Sequence, residues 1–179
     1  MLKLTIPGGE FWDERNERFI YSDPKTIALE HSLVSLSKWE SKWGKPFLTK
    51  DEKTNEEILD YFRCMTITQN VDPKTYYSLT QDNIKAITDY MNAPMTATTI
   101  KRGPQRPGRE IVTSELIYYW MIAFGIPFEC QKWHLNRLIM LIRVCEIKNQ
   151  KPKKRSQRDV LSQYAALNAA RKKMHNTKG

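Results

Sequence analysis

The stretch Thr113–Lys148, TSELIYYWMIAFGIPFECQKWHLNRLIMLIRVCEIK, decides the fold. It reads as two long helices joined by a very tight turn. Thr113 is a good N-cap, and Glu115 in the first turn complements the helix dipole. Gly125 is the natural residue to end the first helix in a left-handed conformation, and Pro127 is pre-set for the first turn of the second. Leu116, Ile117, Trp120, Met121 and Phe124 cover most of the first helix. In the second, Phe128, Leu135, Leu138, Ile142 and Cys145 form one stripe, and Trp133, Met140, Val144 and Ile147 form another. Helices apolar on more than one face are buried on most sides. The pair is therefore expected at the centre of the fold, or at a surface that another chain covers.

Working back from this hairpin, residues 92–110 break the pattern. APMTATTIKRGPQRPGRE is rich in Thr, Pro, Gly and Arg and reads as a long loop. Before it, Thr80 caps a helix with Ile84, Ile87 and Met91 inward, and Val71-Asp72-Pro73 restarts the chain into a short helical turn. Thr54 to Glu57 is a capping box that opens a helix with Ile58, Phe62 and Met65 on one face. Asp23-Pro24 predicts the start of a helix that runs to about Trp43, with a stripe of Leu29, Leu33, Leu36, Trp39 and Trp43, ended by Gly44 and Pro46. The alternation of Leu2, Leu4 and Ile6, followed by Phe11-Trp12 and Phe19-Ile20-Tyr21, predicts two short strands joined by a turn.

Beyond the hairpin, residues 149–155 form a charged linker. Ser156 and Asp159 suit a capping box for a last helix, with Val160, Tyr164, Leu167 and Met174 in a thin stripe interrupted by Arg171. A stripe this narrow suits a partner's groove or loose packing. The expected architecture is mainly α: one mostly helical domain over 1–148, built on the hairpin at about 113–148 with a small amino-terminal β element, then a basic linker and C-terminal helix over 149–179.

Charge is unevenly placed. The chain carries +9 overall. Residues 1–90 hold 12 basic against 15 acidic side chains, and residues 91–179 hold 17 against 5. From Lys148 onward, 10 basic residues face a single acid, Asp159, so the tail alone accounts for the net charge. Lys151, Lys153, Lys154 and Arg155 are the candidate contacts for a polyanion. The tail has Tyr164 as its only aromatic, so it lacks a stacking platform for single strands, and no helix-turn-helix reads bases. Non-specific electrostatic contact with nucleic acid stays open.

The longest apolar run, Leu116–Phe128, contains Gly and Pro and falls short of the ~20 residues that span a bilayer. Lys3 and Pro7-Gly8-Gly9 do not suit a secretory leader. Cys64, Cys130 and Cys145 are odd in number and far apart, which points to reduced thiols rather than disulfides or zinc. These features predict a soluble protein that needs no membrane and no cofactor.

Catalytic signatures are missing. No glycine loop suits a phosphate, and neither HExxH nor GxSxG occurs. His31 lies beside an apolar stripe, where a satisfied structural histidine is the plainer reading. Cys130 and His134 stand at helical spacing and could couple as nucleophile and base, but no orienting acid accompanies them. Trp39, Trp43, Trp120 and Trp133 on helices read first as core and second as interface anchors. Trp120, Phe124, Trp133, Met140, Tyr164 and Leu167 are the candidate partner-binding side chains, drawn from the over-apolar hairpin and the thin final stripe.

Several motifs stand out as a set. They are Ile117-Tyr118-Tyr119-Trp120-Met121-Ile122-Ala123, Ile126-Pro127-Phe128-Glu129-Cys130-Gln131-Lys132-Trp133-His134-Leu135-Asn136-Arg137-Leu138, and the ending Ala166-Leu167-Asn168-Ala169-Ala170-Arg171-Lys172-Lys173. Glu30-His31-Ser32-Leu33, Ser37-Lys38-Trp39-Glu40 and Met95-Thr96-Ala97-Thr98-Thr99 belong with them. Over most of its length the chain resembles small phage and prophage proteins associated with the tail assembly chaperones of long-tailed phages. The resemblance implies a non-enzymatic protein in the host cytoplasm that binds the helical, apolar tape-measure protein while tail-tube subunits polymerise. It also leaves room for a homo-oligomer and for a tail or connector component kept in the virion. It carries over no functional residue one by one.

Overall fold

The computed structural model describes residues 1–13, 16–100, 111–150 and 157–175. The fold is mainly α with a small amino-terminal β element. It divides into two compact units, Met1–Ile147 and Lys148–Gly179.

The first unit opens with four strands. β1 (Leu2–Ile6) pairs antiparallel with β4 (Lys25–Leu29), and β2 (Gly9–Asp13) pairs antiparallel with β3 (Arg18–Ser22). One hairpin is thus nested in the connection of the other pair, so the amino-terminal β element is larger than the two strands expected. The helix expected from Asp23 is corrected here: residues 25–29 are strand, and α1 spans Leu33–Trp43. Leu29 sits four residues before Leu33 and fits either period. The strand wins because the register Leu2↔Leu29, Leu4↔Ile27 puts Leu2, Leu4, Ile6, Ile27 and Leu29 on one face, and Ile6, Ile27 and Leu29 are buried there. The true N-cap is Ser32, which forms a reciprocal capping box with Ser35. Gly44, at φ 61°, closes α1 in the left-handed region.

α2 (Asn55–Met65) starts at the Thr54–Glu57 capping box, and α3 (Gln81–Asn92) starts at Thr80 with Asn83 completing its box. Between them Asp72 caps a 3-10 turn, Pro73–Ser78. Ile58 lies outward, and the inner face of α2 is Tyr61, Phe62 and Met65. On α3, Ile87 is buried, while Ile84 and Met91 pack against the core edge.

α4 (Ser114–Ala123) is capped by Thr113, and Gly125 takes φ 63° as expected. The second helix of the hairpin does not start at Pro127. Residues Phe128–Lys132 form a 3-10 turn, and α5 begins at Leu135 and ends at Asn149. The cause is a tertiary tie. The Leu135 amide donates to the His31 carbonyl at 2.7 Å, and Ser32 and His134 form an antiparallel bridge. This holds residues 133–134 extended before the helix can begin. The tight helical turn is therefore a longer connection, 124–134.

The hairpin supplies much of the core as expected, and shares the centre of the fold with α1. The most extensive helix–helix backbone approaches are those of α1 with α2 and of α1 with α4, and α1 also meets the 3-10 turn at Phe128–Lys132. Leu33, Leu36 and Trp39 of α1 join Ile117 and Met121 of α4 and Leu135, Leu138 and Ile142 of α5 in one core. Phe128 and Ile147, expected in apolar stripes, are exposed.

In the second unit, α6 spans Gln157–His175, and Leu161, Tyr164, Leu167 and Met174 are all exposed. The expected capping box at Ser156 and Asp159 and the basic run Lys151–Arg155 lie outside what is described there. No helix among the described residues is long and apolar enough to cross a membrane.

Candidate functional site

Two features of the first unit have the geometry of a site: an open groove and a buried histidine pair. The groove is built from three elements. α4 contributes Trp120 and Phe124, one turn apart. α5 contributes Ile139, Ile142, Arg143 and Glu146, spread over two turns. The third wall is the segment Leu48–Lys50 after α1, and Ile111 and Val112 close the end before α4. The groove's volume is about 830 Å³. Its floor is apolar and its rim is charged, with Lys50, Arg143 and Glu146 there. Among the described residues none of these three takes part in an ion pair. The excess of apolar faces on α4 and α5 is thus explained: one face of each packs on α1 and the core, and another lines the groove.

A buried acid holds the groove together. Glu40, on α1, is 7% exposed. One of its carboxylate oxygens accepts the Phe47 amide at 2.9 Å and the other accepts the Ser114 amide at 2.7 Å. The first bond fixes the turn leading to Leu48–Lys50. The second places a negative charge at the first turn of α4, where the helix dipole favours it. The interface of α1 with α2 is similarly polar at its edge. Trp39 Nε1 donates to the Glu57 carbonyl at 2.8 Å, Trp43 Nε1 donates to Asp60 at 2.9 Å, and Lys42 and Lys45 pair with Asp60 and Glu57. The Lys45 hydrogen bond and the Thr54 amide hold the Glu57 carboxyl below the usual range. Phe47 stacks on Tyr61 with ring centroids 3.7 Å apart, which seats the same turn on the core.

The histidine pair lies where α1, α2, α3 and α5 meet. His31 and His134 stand edge to face with centroids 5.3 Å apart. His31 Nδ1 is 2.7 Å from the Tyr61 hydroxyl. His134 Nε2 is 3.0 Å from the Tyr90 carbonyl, and its Nδ1 accepts the Asn136 amide at 3.3 Å. A neutral ring with its proton on Nε2 satisfies both. Tyr90 in turn donates to Glu30 at 2.6 Å. Burial, and secondarily the neighbouring His134, push His31 down to about 3, and burial also lowers His134. Both ring nitrogens of His134 are engaged by backbone, so it is not free to act as a base toward Cys130. Asn136 Nδ2 adds bonds to the carbonyls of Met91 and Ala93, and the cluster pins the end of α3 to the start of α5. This is a structural joint. Among the described residues, no group of three or more His, Cys, Asp or Glu is arranged for a metal.

Of the six side chains chosen from sequence, Trp120, Phe124, Trp133 and Met140 lie in the first unit and Tyr164 and Leu167 in the second. Trp120 and Phe124 line the groove. Trp133 is half-buried and carries the Arg137 guanidinium 4.2 Å above its ring centre. Met140 is half-buried on α5 and is not a groove wall. Tyr164 and Leu167 are exposed on α6, in the second unit. Sequence reading missed Leu48, Ile139, Lys50 and Arg143. Ile139 was legible as an apolar residue between the two stripes of α5. The other three sit on a loop and a rim, where no periodicity marks them.

Comparison of the chain with family models, curated proteins and solved structures returned no match.

Proposed function

We propose that this chain is a non-enzymatic tail assembly chaperone of a long-tailed phage, acting in the host cytoplasm on the tape-measure protein. The motif resemblance around Ile117–Ala123 and Ile126–Leu138 suggests the role. One observation carries it physically: an open, apolar-floored groove between α4 and α5. A tape-measure protein is a long helix with apolar faces that lie bare until the tube closes on it. A rigid trough lined by Trp120, Phe124, Ile139 and Ile142 can cover such a face for as long as assembly takes, because helix-in-groove docking needs only an apolar stripe. The groove requires no bound group and no proton transfer to do this.

Co-expression tests the reading. The tape-measure protein should move from the insoluble to the soluble fraction when this chain is present. If its solubility does not change, the chaperone role is lost. Mass spectrometry of purified particles then separates a chaperone, which is absent from them, from a tail component, which is present at fixed copy number.

A further inference from the structure

We propose that the groove between α4 and α5 selects its helix by charge, taking an amphipathic helix whose apolar stripe is flanked by acidic residues. The inference rests on the chaperone reading for its biological occupant, and on the groove alone for its chemistry. Shape supports a helix. The walls repeat at helical steps, Trp120 with Phe124 on one side and Ile139, Ile142 and Glu146 on the other. The α5 wall therefore runs for about 10 Å at 1.5 Å per residue. That length accepts side chains at i, i+3 or i+4, and i+7 of a docked helix.

Charge supports the acidic flank. Lys50 on one wall and Arg143 on the other are cations without an ionic partner among the described residues, against one acid, Glu146. The rim is thus net positive over an apolar floor. Elsewhere in the unit, Lys42 and Lys45 pair with Asp60 and Glu57 at the edge of α1 and α2, while Lys53 and Arg137 lie over the rings of Phe47 and Trp133. An acidic residue beside the occupant's stripe would supply the missing partner, and a basic one would meet two like charges. Rim charges of this kind set specificity more than affinity.

The test uses the full chain and two labelled synthetic helices with the same leucine stripe, one flanked by glutamates and one by lysines, read by fluorescence anisotropy. The glutamate peptide should bind at least about fivefold more tightly, the size expected for two half-exposed ion pairs. Lys50→Glu with Arg143→Glu should reverse the order. Trp120→Ala should weaken the glutamate peptide about tenfold or more, as loss of an aromatic anchor does. Circular dichroism checks that each variant folds, and the rim pair, outside the core, keeps the question decidable if Trp120→Ala unfolds. Equal binding of the two peptides, no binding, an unreversed order, or displacement of the peptide by a free fatty acid each overturns the proposal. Failure here is distinct from failure of the chaperone role. If the charge-reversed chain keeps the tape-measure protein soluble as well as the original does, the groove is not the docking site and the chaperone role stands. If the original chain binds the peptide selectively yet leaves the tape-measure protein insoluble, the groove stands and the role falls.

Discussion

His31 and Glu40 show how much single polar side chains decide inside this core. His31 is buried, faces Tyr61 and His134, and is held far below its ordinary pKa of ~6.5. Below about pH 6.5 the unfolded chain takes up a proton that the folded chain refuses. Stability is therefore complete above that pH and falls as pH drops toward about 3. At ~1.36 kcal/mol per pH unit, His31 alone should remove about 2 kcal/mol between pH 7 and pH 5. His134 shifts in the same direction and adds to the loss. Urea denaturation at the two pH values checks this, and a flat profile would mean the pair is hydrated. Glu40 makes a different prediction. Glu40→Ala leaves the buried Phe47 and Ser114 amides without an acceptor and should cost about 3 kcal/mol. Glu40→Gln keeps one acceptor and should cost less, so the order of the two midpoints tests the two-bond role. The role of His31 was legible in part, since beside an apolar stripe it reads as a satisfied structural histidine, while nothing in sequence marks Glu40. A glutamate four residues before Gly44 reads as solvent-facing helix surface, and only the fold brings Phe47 and Ser114 to it. The Cys130–His134 spacing suggested chemistry, but a backbone carbonyl and an amide occupy the imidazole.

Among the elements, local signals survived where one residue type has one physical use. Thr54, Thr80 and Thr113 cap the helices they were expected to cap, Gly125 adopts the left-handed conformation expected of it, and Gly44 ends α1 as expected, also in that conformation. A Cβ on Gly125 would meet nothing within 4 Å. Gly125→Ala should therefore cost only backbone strain, about 1 kcal/mol, seen as a small drop in thermal midpoint. Reading failed where two periods fit one set of residues. Leu29, Leu33 and Leu36 suit a helix, yet Leu29 belongs to the strand that covers Leu2 and Leu4. It failed again at residues 127–134, where a bridge to residues 31–32 overrides a helical pattern. The apolar excess of α4 and α5 was read as burial on most sides, whereas one face of each is buried in the core and another lines the open groove. Which face meets this chain and which lies open could not be read, because that depends on α1 packing against α4 and on the tie of Leu135 to His31 at the start of α5.

The whole molecule divides its labour by charge. Residues 1–147 hold 19 basic and 19 acidic side chains, so the groove's local positive rim stands on a neutral body. The tail carries the net +9. Binding to single-stranded DNA is expected to be a property of residues 148–179 alone. It should weaken by at least about a hundredfold between roughly 50 and 200 mM salt, whereas an acidic-flanked helix in the groove should lose no more than about the fivefold that its rim ion pairs supply. Measuring both on the same preparation separates the two surfaces. A groove that lost its ligand at high salt, or DNA binding indifferent to salt, would contradict this division.

The tie between His31-Ser32 and His134-Leu135 also sets the order in which the chain can be made. It joins residues about a hundred positions apart, and such closures are slow because the loop entropy is lost before the contact forms. During synthesis β1 through α2 can pair from residues already made, with Tyr61 against His31, but the side of His31 that meets His134 stays uncovered until Leu135 has been added. Only then does α5 gain its starting point, and the groove acquires its second wall in the last stage of folding.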